Sequence, residues 1–259
     1  MKKAIPLISA TQRTLAMLEA VIADCGASSV SGLARGLGLP VATAHRQVAT
    51  LVAEGFLMPA GHGRHIAGPR LRALVGLVGD AQVMANVAAP MLQRLATRFG
   101  GVAHMGTLEN DMVTYRIKAG EAAGSLFTRV DMQQEAYCSG MGKVLLAYLP
   151  EEERAAYLAG GPFVALTPTT ITEPADLARE LAEVARLGFA EDRGEIATNL
   201  FCLAVPIRHP DGAVPAAISF SRLGAQTPGH EPRLLKALQE TAHAVEKICF
   251  SAKESQAAT

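Results

Sequence analysis

Three glycines constrain the first quarter of this chain more than any other feature. Gly26, Gly38 and Gly55 each close a short run of helically spaced apolar residues. Glycine just past a helix end takes the left-handed conformation that stops it. Residues 9–67 therefore read as several short helices rather than one long one. Thr11 is placed to cap the first, whose Leu15, Leu18, Ala20, Val21 and Ile22 repeat at helical spacing up to Cys25. Ser31 caps a second, Gly32 to Leu37. Pro40 suits the first turn of a third, Val41 to Glu54, with Ala44, Val48, Leu51 and Val52 as its inner stripe. Phe56-Leu57-Met58 and Arg64-His65-Ile66 then read as short strands around the turn Gly61-His62-Gly63. Three helices with a two-stranded wing form a winged helix-turn-helix.

In such a module the exposed start of the second helix of the helix-turn-helix enters the major groove. Here that surface offers Thr43, His45, Arg46 and Gln47, with Arg35 on the preceding helix and Arg64, His62 and His65 on the wing. These side chains suit phosphates and base edges. Charge agrees. The chain totals 24 basic and 24 acidic residues, but residues 1–80 hold eight basic against four acidic. Residues 81–259 hold 16 basic and 20 acidic. A basic first third joined to an acidic remainder marks one part for a polyanion. A small protein-interaction module is the other reading of the same pattern.

Several classes are excluded. Hydrophobic residues at 49% with charged residues at 19% fit a large core and not disorder. Cys25, Cys138, Cys202 and Cys249 are scattered with no CxxC pair, so free thiols in the cytoplasm are expected. No run of 18 apolar residues supports a membrane span. Gly142-Lys143 lacks the first glycine of a phosphate-binding loop, and neither H-E-x-x-H nor G-x-S-x-G occurs. No metal set and no cofactor fingerprint stands out.

Residues 68–98 read as a helical linker, with Leu71, Leu74, Val75 and Val78 as one stripe and Val87, Met91, Leu92 and Leu95 as another. Such a stripe is core, or it packs on a second protomer. Residues 99–259 read as strands at 102–108, 112–118, 126–130, 203–208 and 214–220, the last two joined by a turn at Pro210-Asp211-Gly212. Helices are expected at 141–149, 151–158, 175–187 and from about Glu231 to Phe250. The class is α+β, with one antiparallel sheet flanked by helices.

The run SGLARGLGLPVATAHRQVATLVAEGFL, residues 31–57, resembles the helix-turn-helix of the IclR family of bacterial transcriptional regulators. YCSGMGKVLLAYLP at 137–150 resembles the family's A-x-G-K-A-L-L-A element, and later motifs follow in family order. The resemblance covers nearly the whole chain. It implies a GAF-like fold for the C-terminal domain, dimers often paired into tetramers, and a double-stranded operator, palindromic for a dimer. One departure is Val41-Ala42, where the family commonly has a basic or polar pair after the proline.

The start of the helix at Ser139-Gly140-Met141 is by itself a plausible anion site, because first-turn N–H groups are free and Gly140 admits close approach. The plainer reading is that Gly140 and Gly142 only ease packing. The resemblance implies that Gly140, Met141, Asp192, Cys202, Ser219 and Ser221 bind a small effector, with Leu126 and Leu200 as apolar walls. Ser219 and Ser221 alternate onto one strand face. Asp192 repels a bound carboxylate unless one acid is protonated or the ligand brings a donor. The expected effector is thus an organic acid with a donor group or a phenolic aromatic. Two other readings remain at this point. One is an enzyme using Cys202 as nucleophile with Asp192 or His104, against which the apolar NLFCLAVPI surroundings argue. The other is a scaffold that no longer binds DNA.

Overall fold

The structure, a computed structural model, describes residues 6–77, 79–224 and 232–250. Lys2, Lys3, Val78 of the expected linker stripe and the expected helix start at Glu231 lie outside the described residues. The chain divides into two compact units, the second beginning at Asp80.

The first unit contains α1 (Ser9–Asp24), α2 (Val30–Gly36), α3 (Val41–Ala53), β1 (Leu57–Pro59), β2 (His65–Ala67) and α4 (Pro69–Leu77). Met17, Val21, Val30, Ala34, Ala44, Val48, Leu51 and Leu57 form its core. The turn between α2 and α3 depends on Gly38, at φ +64°, which L side chains rarely adopt. Two expected caps are corrected. Thr11 lies inside α1, which starts at Ser9 with no side-chain cap. Ser29, not Ser31, caps α2 by accepting the Gly32 N–H at 3.3 Å. Of two neighbouring serines, only Ser29 stands three residues before a free first-turn N–H. β1 and β2 pair antiparallel, Met58 opposite Ile66.

The second unit contains α5 (Asp80–Phe99), β3 (Val102–Glu109), β4 (Met112–Ala119), β5 (Gln133–Glu135), α6 (Gly140–Ala147), α7 (Glu151–Ala159), α8 (Pro174–Leu187), β6 (Ala190–Arg193), β7 (Leu200–Ile207), β8 (Ala216–Leu223) and α9 (Pro232–Phe250). Its sheet is fully antiparallel in the order β5-β4-β3-β8-β7-β6. One face packs on α5 and α9 through Met105, Leu203, Ile218 and Phe220. The other packs on α6 and α8 through Tyr115, Met141, Val144, Ala204 and Leu181. The helix Asp80–Phe99, which the sequence places in a linker, buries Met84, Ala88, Leu92 and Leu95 in this core. In α4, by contrast, Leu74 and Val75 stay exposed, Val75 at 70%.

Residues 126–130 are not a strand. Lys118 Nζ donates to the carbonyls of Leu126, at 2.7 Å, and Thr128, the chain bends at Leu126 and Phe127, and β4 pairs instead with β5. β6, with three charged residues in its four, carries no apolar alternation and was not foreseen.

The loop entering α6 packs directly on the helix because Gly142 has no side chain. A Cβ there would stand 2.1 Å from the Ala136 carbonyl oxygen, whereas one on Gly140 would meet nothing nearer than 3.5 Å. Gly142→Ala is expected to destabilise by about 2–4 kcal/mol and Gly140→Ala by under about 1 kcal/mol, measured by urea unfolding.

Candidate functional site

In the first unit, most of the side chains expected to read DNA lie on α3. His45 and Arg46 are exposed; Thr43 and Gln47 are half-buried, and Gln47 turns its Oε1 inward. His45 Nε2 lies 3.1 Å from Ser31 Oγ, which ties α3 to α2 at the surface. Arg35 Nε donates to the Ser31 carbonyl, and Arg64 lies in the wing loop beside Gly61. Among the described residues no carboxylate pairs with Arg35, Arg46 or Arg64, whereas Arg70 pairs with Glu54 at 2.8 Å.

In the second unit, seven of the eight residues expected at the effector site line one cavity. These are Leu126, Gly140, Met141, Leu200, Cys202, Ser219 and Ser221. Strand register explains the convergence. Asp192, Cys202 and Ser221 stand in one cross-strand row, and Ala204, Ser219 and His104 in the next. The eighth, Asp192, stands behind Cys202. The space open to the centre of a water molecule is about 10 Å³, room for one water.

Ser139, expected at the helix start, also lines the cavity, while Tyr115, Phe127, Thr128 and Ile196 line it and were not foreseen. Tyr115 reaches it through a bulge between Met105 and Gly106. The bulge places Ile117 and Tyr115, two residues apart, on opposite faces of the sheet. No local signal in the sequence announces it. Ser139 is the N-cap of α6 and accepts the Gly142 N–H at 2.9 Å. The N–H groups of Gly140 and Met141, in the same first turn, have no intrahelical acceptor.

The electrostatics are set by burial. Asp192 is fully buried, accepts the Glu195 N–H at 2.7 Å through Oδ1, and leaves Oδ2 without a partner. Burial pushes its carboxyl up to about 7, against the pull of that hydrogen bond and of Lys143. Lys143, 1% exposed, donates to Glu195 at 2.7 Å and Glu180 at 2.9 Å. Burial works against its ammonium, but the two carboxylates outweigh it and hold the pKa above the ordinary lysine value. Cys202 Sγ lies 3.1 Å from Ser221 Oγ, and burial, with Asp192 beside it, pushes the thiol well up. A thiol so held is a poor nucleophile. Among the described residues no group of three His, Cys, Asp or Glu side chains is placed to hold a metal ion. No single helix among them is long and apolar enough to cross a membrane.

Comparison with known proteins places both units. Residues 10–59 match the IclR helix-turn-helix domain, and residues 78–247 match the bacterial transcriptional regulator IclR C-terminal domain. The regulator RhmR of Escherichia coli is 30% identical over 77% of this chain and 77% of its own. The DNA-binding transcriptional repressor YiaJ of the same organism is 30% identical over 85% of this chain and 79% of its own. A crystal structure of an IclR homolog from Microbacterium hydrocarbonoxydans, complexed with 4-hydroxybenzoate, matches with a TM-score of 0.60. It shares 29% identity and covers 92% of this chain and 98% of its own.

The raised Asp192 carboxyl has a consequence for stability. Its folded pKa of about 7 exceeds the ordinary 3.8, so between these values the folded chain holds a proton that the unfolded chain has lost. Stability therefore falls as pH rises from about 4 to about 7, by on the order of 4 kcal/mol at most. Asp192→Asn is expected to flatten this fall and to be more stable than wild type at pH 7.5. Urea titrations at a series of pH values check it; an unchanged slope contradicts it.

Proposed function

The chain belongs to the IclR family of bacterial transcriptional regulators, and from that premise we propose a ligand-responsive regulator of transcription, without catalytic activity, that acts in the cytoplasm. The observation that carries this reading is the pocket. Seven of the residues that the family pattern assigns to an effector meet around one cavity in a unit joined to a DNA-binding module.

The effector is a small organic acid or a phenolic aromatic metabolite. Its carboxylate binds the Gly140 and Met141 N–H groups at the positive end of α6, within reach of Ser219 and Ser221. Asp192, behind Cys202, has its carboxyl raised by burial to about 7, and below that pH its protonated form does not repel the bound carboxylate. Leu126 and Leu200 close the apolar sides. A cavity with room for one water must widen to admit any such ligand. Binding then biases the chain between states of different DNA affinity.

Arg46, His45, Thr43 and Gln47 on α3, with Arg35 and Arg64, contact a double-stranded operator. The exposed Leu74 and Val75 on α4 are positioned to pack on a second protomer. Two reading heads then meet two half-sites of a palindromic operator, as a dimer or a tetramer.

An electrophoretic shift on DNA upstream of the chain's own gene tests this. A specific complex is expected, weakened at least tenfold by Arg46→Ala and weakened steeply by salt as counterions are released. A chain that retains a ligand but forms no specific complex is a scaffold, and the reading fails. On the ligand side, an acid at one hundred times its Kd is expected to stabilise the chain by about 2.7 kcal/mol. Asp192→Asn or Ser219→Ala should diminish that thermal shift.

A further inference from the structure

We propose that the Thr128 hydroxyl, backed by His104, forms a second polar subsite of this pocket and selects acids that also carry an uncharged hydroxyl group. The proposal rests on the reading of the cavity as an effector pocket and names a discriminating contact within it.

His104 lies on β3, directly opposite Ser219 of β8 and Lys118 of β4. Its ring is 1% exposed and stands 5.1 Å from the Tyr115 ring, centroid to centroid. Nε2 lies 3.0 Å from Thr128 Oγ1, while Nδ1 has no partner. Thr128 is buried yet lines the cavity. A neutral imidazole carries its proton on one nitrogen only. A buried N–H without an acceptor is costlier and rarer than a bare lone pair. The proton therefore belongs on Nε2, which donates to Thr128 Oγ1. The threonine hydroxyl is then left with its own proton and one lone pair, and no other protein group among the described residues takes either. Such a group offers a ligand hydroxyl both an acceptor and a donor.

Two further observations fix the chemistry of this end. Lys118 Nζ donates to the carbonyls of Leu126 and Thr128, so its ammonium anchors the backbone that carries Thr128. Burial, together with that nearby ammonium, pushes His104 down to about 3. The imidazole is therefore neutral at physiological pH and offers no charge to a second carboxylate. The subsite fits a neutral oxygen, and His104 acts as a positioning residue for Thr128.

Isothermal titration of the full chain tests this with matched probes: benzoate beside its three monohydroxy isomers, and butyrate beside its 3- and 4-hydroxy derivatives. At least one hydroxy acid is expected to bind about tenfold more tightly than its parent, the worth of one well-placed hydrogen bond. Thr128→Val should erase that ratio. Thr128→Ser should restore it, and His104→Phe should reduce it. Should the His104 variant fail to fold, the Val and Ser variants at 128 decide the matter. The proposal is overturned if no hydroxy acid outranks its parent, or if the ratio survives Thr128→Val. If the hydroxy acid and its parent bind equally, the effector pocket stands and only the subsite falls. If no acid binds at all, the effector reading falls and the subsite with it.

Discussion

A fully buried ammonium must be neutralised where it stands, and in this chain Lys143 imposes that condition on everything around the pocket. Leaving such a charge unpaired costs about 3–5 kcal/mol, a large part of a domain's stability. Glu195 and Glu180 meet it from two directions, one following β6 and one on α8. Because Glu195 is held, its N–H is fixed on Asp192 Oδ1. Thr167 and Thr170 add hydroxyl bonds to the carbonyls of Gly194 and Glu195, each at 2.7 Å. The segment that sets Asp192 and brings Ile196 to the cavity wall is thus positioned from the helix whose N-terminus faces the same cavity. One ion-pair cluster orders both polar sides of the site.

The pocket is small because its surroundings are well packed, and its chemistry follows from that. Burial raises the Asp192 carboxyl and the Cys202 thiol and lowers the His104 imidazole. All three shifts favour the uncharged form, as desolvation requires. The site therefore concentrates hydrogen-bonding groups while avoiding charge. The exception is the α6 terminus, where backbone dipoles rather than an ionised side chain face the cavity. A lone carboxylate can be bound there without a cationic side chain.

The sequence made the first unit legible because its helices are local. The glycine stops and the apolar stripe of α3, with Ala44, Val48 and Leu51 buried, were all readable from spacing. Helix caps were less so, since Ser29 and Ser31 differ only in backbone geometry. In the second unit β3, β4, β7 and β8 were visible as strand-length runs bounded by turn residues. β6 was hidden by its charged run, and residues 126–130 looked extended although the chain bends at Leu126 and Phe127. Ser219, Ser221 and Cys202 could be matched to a family motif, and their meeting follows from register. Tyr115 and Thr128 could not be found that way. One depends on a bulge, the other on a hydrogen bond across 24 residues. The buried lysine was visible only as part of a motif, because nothing in sequence distinguishes a paired interior lysine from a surface one.

The central claim is that the pocket and the reading surface are energetically linked. Fluorescence anisotropy of operator DNA, titrated with the full chain at fixed salt with and without a bound acid, measures that link directly. Titration of the acid into free and DNA-bound chain measures it from the other side. Linkage demands that the two factors be equal, and the account predicts a common factor of about 5 to 150. An acid that binds the pocket tightly yet leaves DNA affinity unchanged would contradict it.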